Sequence, residues 1–283
     1  MNNLKKIIKK EKIFFSGYFK RKKKYSYILK KKYQEETVYQ RKLRLSYEIS
    51  GMLKNKVTYG PYKGVKLIIT NDKNKKFLDN SAYFFGFYEE LITEILINKK
   101  KNLTDFVQIG AHAGYHAIGL IKNKFYNSAI CFEKNKVNRK MLENNINLNK
   151  CQNKIKVFGN ATKNFHLVIK NKKKTLILID IEGDEFKILN LSSIIQIKES
   201  HLIIEIHHFK NNFFIHYKNL LKILLKFYTI EFITWPNGAN KINEFPELDS
   251  FTDDNRYLLC SEHRNHKMRF LYCIPSQKNY LND

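Results

Sequence analysis

The feature that most constrains this chain is the run Asp105-Phe-Val-Gln-Ile-Gly110-Ala-His-Ala-Gly114-Tyr115, where a β-favouring apolar stretch breaks at a glycine turn and resumes with helical spacing. A strand that enters a helix through such a turn is the opening unit of an open α/β sheet. Its glycines let the backbone come close to a ligand, and the helix start offers N–H groups with no intrahelical partner. Alternation continues downstream. Further strands are expected at 129–132, 156–158, 176–181 and 202–206, and helices at 115–123, 136–148, about 184–191 and 214–227. Two last strands, 229–233 and 256–260, are joined by a turn-rich loop that holds Trp235-Pro236-Asn237-Gly238. Continuous apolar strands between helices predict a mostly parallel sheet covered on both faces. Upstream, Tyr59-Gly-Pro-Tyr-Lys-Gly64 followed by a β-favouring run at 65–69 reads as a hairpin, and 86–96 as an amphipathic helix.

Of the 283 residues 43% are hydrophobic and 14% aromatic, enough to bury a sizeable core and too much for a disordered or collagen-like chain. No apolar run approaches the roughly 18 residues that span a bilayer, and the N-terminal lysines are not followed by a secretory apolar block. The expected location is the cytoplasm, with peripheral attachment at the inner membrane surface as a variant. The four cysteines, Cys131, Cys151, Cys260 and Cys273, lie far apart without a Cys-x-x-Cys pair, which argues for buried thiols over a zinc or disulfide framework.

The formal charge is +26, from 52 Lys or Arg against 26 Asp or Glu. Residues 1–44 hold 16 of the basic residues against Glu11, Glu35 and Glu36, so the chain opens with a basic arm, taken as 1–56. The arm reads either as a solvated, partly helical extension or as an interfacial segment for anionic lipid, polyanionic glycan or nucleic acid. Lysine, asparagine and isoleucine, which all have A/T-rich codons, are all abundant, so codon usage is expected to account for part of the excess.

Glu133 lies 23 residues beyond Gly110 and ends the second apolar strand. A carboxylate at that tip, roughly 20 residues past the glycine turn, accepts hydrogen bonds from ribose hydroxyls in nucleoside-binding α/β units. Gly110 and Gly114 stand four apart and Gly119 already lies in the helix, so the Gly-x-Gly-x-x-Gly pattern of dinucleotide sites is not met. A nucleoside without a pyrophosphate, such as S-adenosylmethionine, fits better.

These segments, together with Leu142-Glu-Asn-Asn-Ile-Asn-Leu-Asn149, Asn160-Ala161, Ile179-Asp-Ile-Glu-Gly-Asp-Glu185, Gly86-Phe-Tyr-Glu89 and Leu202-Ile-Ile-Glu-Ile-His207, resemble the FkbM-type S-adenosylmethionine-dependent methyltransferases over about residues 57–262. The resemblance implies the class I methyltransferase (Rossmann-like) α/β fold, a mostly parallel seven-stranded sheet whose last pair is antiparallel. It would occupy 105–283, with 57–104 as a preceding hairpin and helix. The usual activity would be O-methylation of a sugar, glycan or related small molecule. Carried over, Gly110 and Gly114 would line the methionine part of the cofactor, with Ala111, His112 and Tyr115 also among its binding residues, Glu133 would hold the ribose, and Asn160 with Ala161 would border the adenine. Glu89, beside Tyr88, would close over it. Gln108 stands where the family more often has an acid, His112 where it has Asn, and Lys134 where it has Pro. The first departure could weaken cofactor binding modestly.

Methyl transfer from a sulfonium needs in-line positioning and deprotonation of the acceptor. Asp180, Glu182, Glu205, His207 and His208 are expected near the carboxyl ends of adjacent strands, with Asp180, Glu182 and His207 as the catalytic set. Neighbours on a strand face opposite ways, so one histidine at most enters the site, and His207 is expected to be the base. Alternatively Asp180, Glu182 and Glu205 hold a Mg²⁺-like ion that lowers the hydroxyl pKa. Asp184 and Glu185 suit a helix start, where carboxylates complement the dipole. Two rivals stand. One is an RNA methyltransferase that grips its substrate with the arm, although the strand-four tip lacks the Asn/Asp-Pro-Pro-aromatic turn of base-methylating enzymes. The other is a non-catalytic binding module that keeps the fold.

Overall fold

A computed structural model describes residues 36–68, 81–99, 102–162, 164–207, 212–234, 241–262 and 269–276. Seven strands form one sheet in the order β3-β2-β1-β4-β5-β7-β6. They are β1 (Asp105–Ile109), β2 (Ser128–Phe132), β3 (Ile155–Phe158), β4 (Thr175–Ile179), β5 (His201–Ile206), β6 (Tyr228–Thr234) and β7 (Arg269–Pro275). The first five run parallel, and β7 pairs antiparallel with both β5 and β6. All five residues of β4 are buried, as a strand covered on both faces requires.

The α-helices of the described residues are α1 (Val38–Met52), α2 (Ala82–Phe85), α3 (Glu90–Asn98), α4 (Tyr115–Lys122), α5 (Lys136–Leu148), α6 (Glu185–Ile188), α7 (Leu191–Ile197), α8 (Phe213–Leu224) and α9 (Asp253–Cys260). One apolar cluster joins Leu45 and Ile49 of α1 to Phe84, Phe85, α4, Leu142 and Leu259. A second joins Ile177, Ile179 and Ile204 of the sheet to Ile194 and Ile197 of α7 and Leu220 of α8. The described part of the basic arm is therefore not all solvated: Lys42 is fully buried and its ammonium donates to the carbonyl of Ser261.

Four sequence expectations are corrected. Residues 256–260 belong to helix α9, whose first turn carries Asp253 and Asp254 at the positive end of the dipole, and the last strand is Arg269–Pro275. The helix expected over 184–191 is two helices, because Asn190 forms a reciprocal cap with Ser193 and restarts the chain. The helix expected from 86 starts at Glu90: Gly86, at φ +86°, ends α2, and a Cβ there would lie 2.1 Å from the carbonyl oxygen of Tyr59. The upstream hairpin reduces, among the described residues, to a turn closed by a single antiparallel bridge between Lys56 and Lys66.

Asparagines on α5 fasten that turn. Asn145, fully buried, accepts from the N–H of Ile68 at 2.8 Å and donates to the carbonyls of Ile68 and Ala113. Asn149, one helical turn on, accepts from the N–H of Lys66 and donates to its carbonyl.

Candidate functional site

Register decides what meets at the carboxyl edge of the sheet. Ile109 lies beside Phe132 on one side and Ile179 on the other, so Gly110, Glu133 and Asp180 leave three neighbouring strands at one level. The strand order reverses between β1 and β4, the place where open α/β sheets bind ligands. A cavity of about 660 Å³ opens there. Gly110, His112, Glu133, Asn160, Ala161, Asp180 and Glu182 line it, as does Tyr88. Ala111, Gly114, Tyr115, Glu89 and His207 are buried outside its lining. Sequence reasoning missed Tyr83, Asn138 and Lys187, which also line it. Their signal would have been proximity to Tyr88, Asn135 and Asp184, which periodicity does not supply.

Gly110 is forced by backbone crowding. It sits at φ +88°, and a Cβ there would lie 1.7 Å from the carbonyl oxygen of Asp180. Its N–H and that of Ala111 both reach the carbonyl of Phe132, which ties the turn to the β2 tip. Gly114 serves packing instead, since a Cβ there would meet Leu142 at 2.5 Å.

Glu133 is held by two main-chain donors. One carboxylate oxygen accepts from the N–H of His112 at 2.9 Å, the other from the N–H of Asn135 at 2.8 Å. Each oxygen has a lone-pair direction left for a further donor. Behind it, Arg139 donates to the carbonyl of Glu133 at 2.7 Å. Gln108 lies below the turn, where its amide oxygen accepts from the N–H of Ala117 at 3.3 Å.

On the β4 and β5 side, β4 ends at Ile179, two residues sooner than the apolar run suggests, which frees Asp180 to Glu182 as a turn. His207 Nε2 lies 3.5 Å from Asp180 and 3.6 Å from Glu182, and its Nδ1 lies 3.5 Å from Glu185. Glu185, fully buried, also accepts from the backbone N–H of His207 at 3.0 Å. Burial, then the charge of Glu89, pushes the Asp180 carboxyl up to about 6, against the pull of His207 and a hydrogen bond with Glu205. Burial opposes charge on His207, but Glu185, Asp180 and Glu182 outweigh it and raise its pKa above the ordinary value. Among the described residues, the group able to offer a metal three atoms, all within 4.8 Å of one another, is Asp180, Glu205 and His207. The imidazole takes the place the sequence reading gave to Glu182.

Glu89 occupies a left-handed conformation at φ +48° ahead of α3. Its carboxylate meets His116 Nε2 at 2.9 Å, and His116 Nδ1 meets the Tyr62 hydroxyl at 3.3 Å, a buried chain linking the pre-sheet segment to α4. Tyr83 and Tyr88, ring centroids 4.1 Å apart, form the adjoining wall of the cavity. His208 and Trp235 to Gly238 lie outside the described residues. All four cysteines are buried free thiols. Among the described residues no helix is long and apolar enough to cross a membrane.

No protein-family model matches the chain, and no curated protein matches it in sequence. Among solved structures it is similar to the B. subtilis M1A22 tRNA methyltransferase TrmK, with 13% identity, a TM-score of 0.44 and 65% of each chain covered. It is also similar to a putative O-methyltransferase from Klebsiella pneumoniae, with 8% identity, a TM-score of 0.46, and 89% of this chain and 96% of that one covered. A third is precorrin-6y C5,15-methyltransferase from Geobacter metallireducens GS-15, with 12% identity, a TM-score of 0.43, and 66% and 88% covered. Identities this low carry no residue roles across.

Proposed function

We propose that this chain is an FkbM-type methyltransferase that uses S-adenosylmethionine to methylate a hydroxyl of a sugar, glycan or related small molecule. The observation that carries the reading is Glu133: a buried carboxylate on the β2 tip, lining a cavity at the sheet's reversal point and held by two amides with lone pairs to spare. The residues fit the cofactor. Along the order β3-β2-β1-β4 lie Asn160, Glu133, Gly110 and Asp180, a linear track for adenine, ribose and amino-acid ends. A volume of about 660 Å³ is within the usual range for small-ligand pockets. The turn lacks the Gly-x-Gly-x-x-Gly spacing of dinucleotide sites, and the N–H of His112 already donates to a carboxylate, which favours a nucleoside over a dinucleotide.

When bound, S-adenosylmethionine supplies a methyl group already activated by its sulfonium. What remains for the chain is to place the acceptor and remove its proton. Asp180 is the residue best suited to that removal, because it borders the cavity and titrates near 6, close to working pH. His207, whose carboxylate neighbours favour its protonated form, lies 3.5 Å from Asp180 and would position it, a role that makes it a poorer base than the sequence suggested. Titration calorimetry with S-adenosylmethionine tests the reading: binding that Glu133→Ala weakens supports it, and no heat with the folded protein sinks it. Mass spectrometry of surface sugars, lipids and metabolites with and without the gene would then identify the acceptor by a gain of one methylene.

A further inference from the structure

The positive charge of this chain sits in two blocks. Between residues 134 and 174 there are 12 Lys or Arg against one acid, Glu143, a local excess of +11. With the +13 of residues 1–44 this makes +24 of the total +26. Codon bias acts evenly along a gene, so it does not account for a middle block this one-sided.

The block folds onto one border of the molecule. It runs from Lys134 through α5, the edge strand β3 and the 3₁₀ segments Phe165–Val168 and Lys172–Lys174. Leu142 and Ile146 of α5 pack on one face of the sheet, and Phe165 packs on the other, so lysines flank the open edge from both sides. One lysine on an edge strand suffices to deter strand pairing, and Lys156 fills that role. Several of the rest are not neutralised internally. Among the described residues Lys136, Lys150, Lys154, Lys156, Lys170 and Lys174 make no ion pair, whereas Lys134 pairs with Asp184, Lys140 with Glu143 and Lys173 with Glu199. Apolar side chains stand exposed among them: Val137 at 65% and Leu167 at 74%.

We propose that this border docks on an anionic lipid surface. Two observations favour lipid over nucleic acid. Eleven of the twelve cations are lysines, compact point charges suited to diffuse attraction, and the lone arginine, Arg139, is committed to the carbonyls of Glu133 and Lys134. Of the exposed large apolar side chains there, Val137, Leu148 and Leu167 are aliphatic, fit to enter a headgroup layer and unable to stack on bases, and one, Phe158, is aromatic and the least exposed of the four. Lys134, Asn135 and Asn138 belong both to this block and to the cavity lining, so the docked protein would present its cavity mouth beside the lipid. That last consequence rests on the methyltransferase reading; the docking itself does not.

The test is co-sedimentation of the full chain with vesicles of phosphatidylcholine alone and with a third phosphatidylglycerol, at two salt concentrations. We expect binding only to the anionic vesicles, weakened by salt. The triple variant Lys136→Glu/Lys140→Glu/Lys156→Glu should cut partitioning roughly a hundredfold or more, at about fivefold for each lysine removed and further loss from each acid added. A Gln version of the triple variant, with an unchanged melting temperature, covers misfolding and should show a smaller loss in the same direction. Equal binding to neutral vesicles overturns the proposal. So does undiminished vesicle binding by both variants, which would leave the attraction to the arm. A variant that loses affinity for a homopolymeric RNA while keeping its affinity for vesicles overturns it in favour of nucleic acid. Calorimetry with S-adenosylmethionine on the same preparations, without vesicles, tests the methyltransferase reading separately.

Discussion

Replacing Glu133 by alanine separates the cofactor role proposed for that carboxylate from its structural one. The side chain is 7% exposed and spans the amides of His112 and Asn135 at 2.9 and 2.8 Å. Hydrogen bonds to a charged group contribute about 1.5–3 kcal/mol each. Both amides border the cavity, where water can replace the lost oxygens, so folding should lose about 1.5–3 kcal/mol in total and not twice that. Ribose hydroxyls would lose their acceptor as well, and a further 1.5–3 kcal/mol or so off binding corresponds to a Kd raised roughly 10- to 150-fold. Urea unfolding without cofactor reads the first quantity, and calorimetry with S-adenosylmethionine on the folded variant reads the second. A folded variant that binds with wild-type affinity would refute the ribose assignment, and with it the transferase reading.

Asp180→Asn should lower turnover by about 10²- to 10⁴-fold while leaving cofactor affinity within a few-fold, measured by single-turnover kinetics alongside calorimetry. If Asp180 is the base it must be deprotonated to act, so wild-type turnover should climb as pH rises through about 6, and a profile flat across that range would argue against it. If the His207 cation positions Asp180, turnover should fall again at higher pH, as that raised pKa is passed. Gly110→Ala should fail to fold or lose more than about 4 kcal/mol, since its Cβ would overlap the carbonyl of Asp180; a soluble variant with a native melting curve would contradict the packing of that turn. Asn145→Ala should cost about 2–3 kcal/mol in urea unfolding by releasing residues 66–68, and a loss below about 0.5 kcal/mol would show that this segment is held otherwise.

The strands β1, β2, β4 and β5 were legible because each is mainly apolar, as burial on both faces requires, whereas the edge strand β3, Ile155–Phe158, is half exposed and was read from its β-favouring residues. Helix α5 was legible to the residue, Lys136–Leu148, because Asn135 caps it and its apolar spacing is regular. Helix α9 was misread as a strand because Arg256-Tyr-Leu-Leu-Cys260 is short and apolar, and over so few residues the two periods cannot be told apart. The carboxylates at strand tips were found as a set since each strand end is marked in sequence by the passage from apolar to charged. Their grouping was another matter: His207 between Asp180, Glu182 and Glu185 depends on how far β5 runs beside β4 and on which way a turn at φ +55° throws Glu182.

By itself the sequence determined the alternation of strand and helix, the glycine turn and the acid at the second strand's tip, because local sterics and burial act within a few residues of one another. Tertiary structure alone decided that the Asp180 carboxyl is pushed up to about 6, that the His207 imidazole is raised above its ordinary value, and that lysines scattered over some forty positions share one border. Those outcomes turn on charge and solvent exclusion acting through space, between groups that the chain keeps far apart until the sheet assembles.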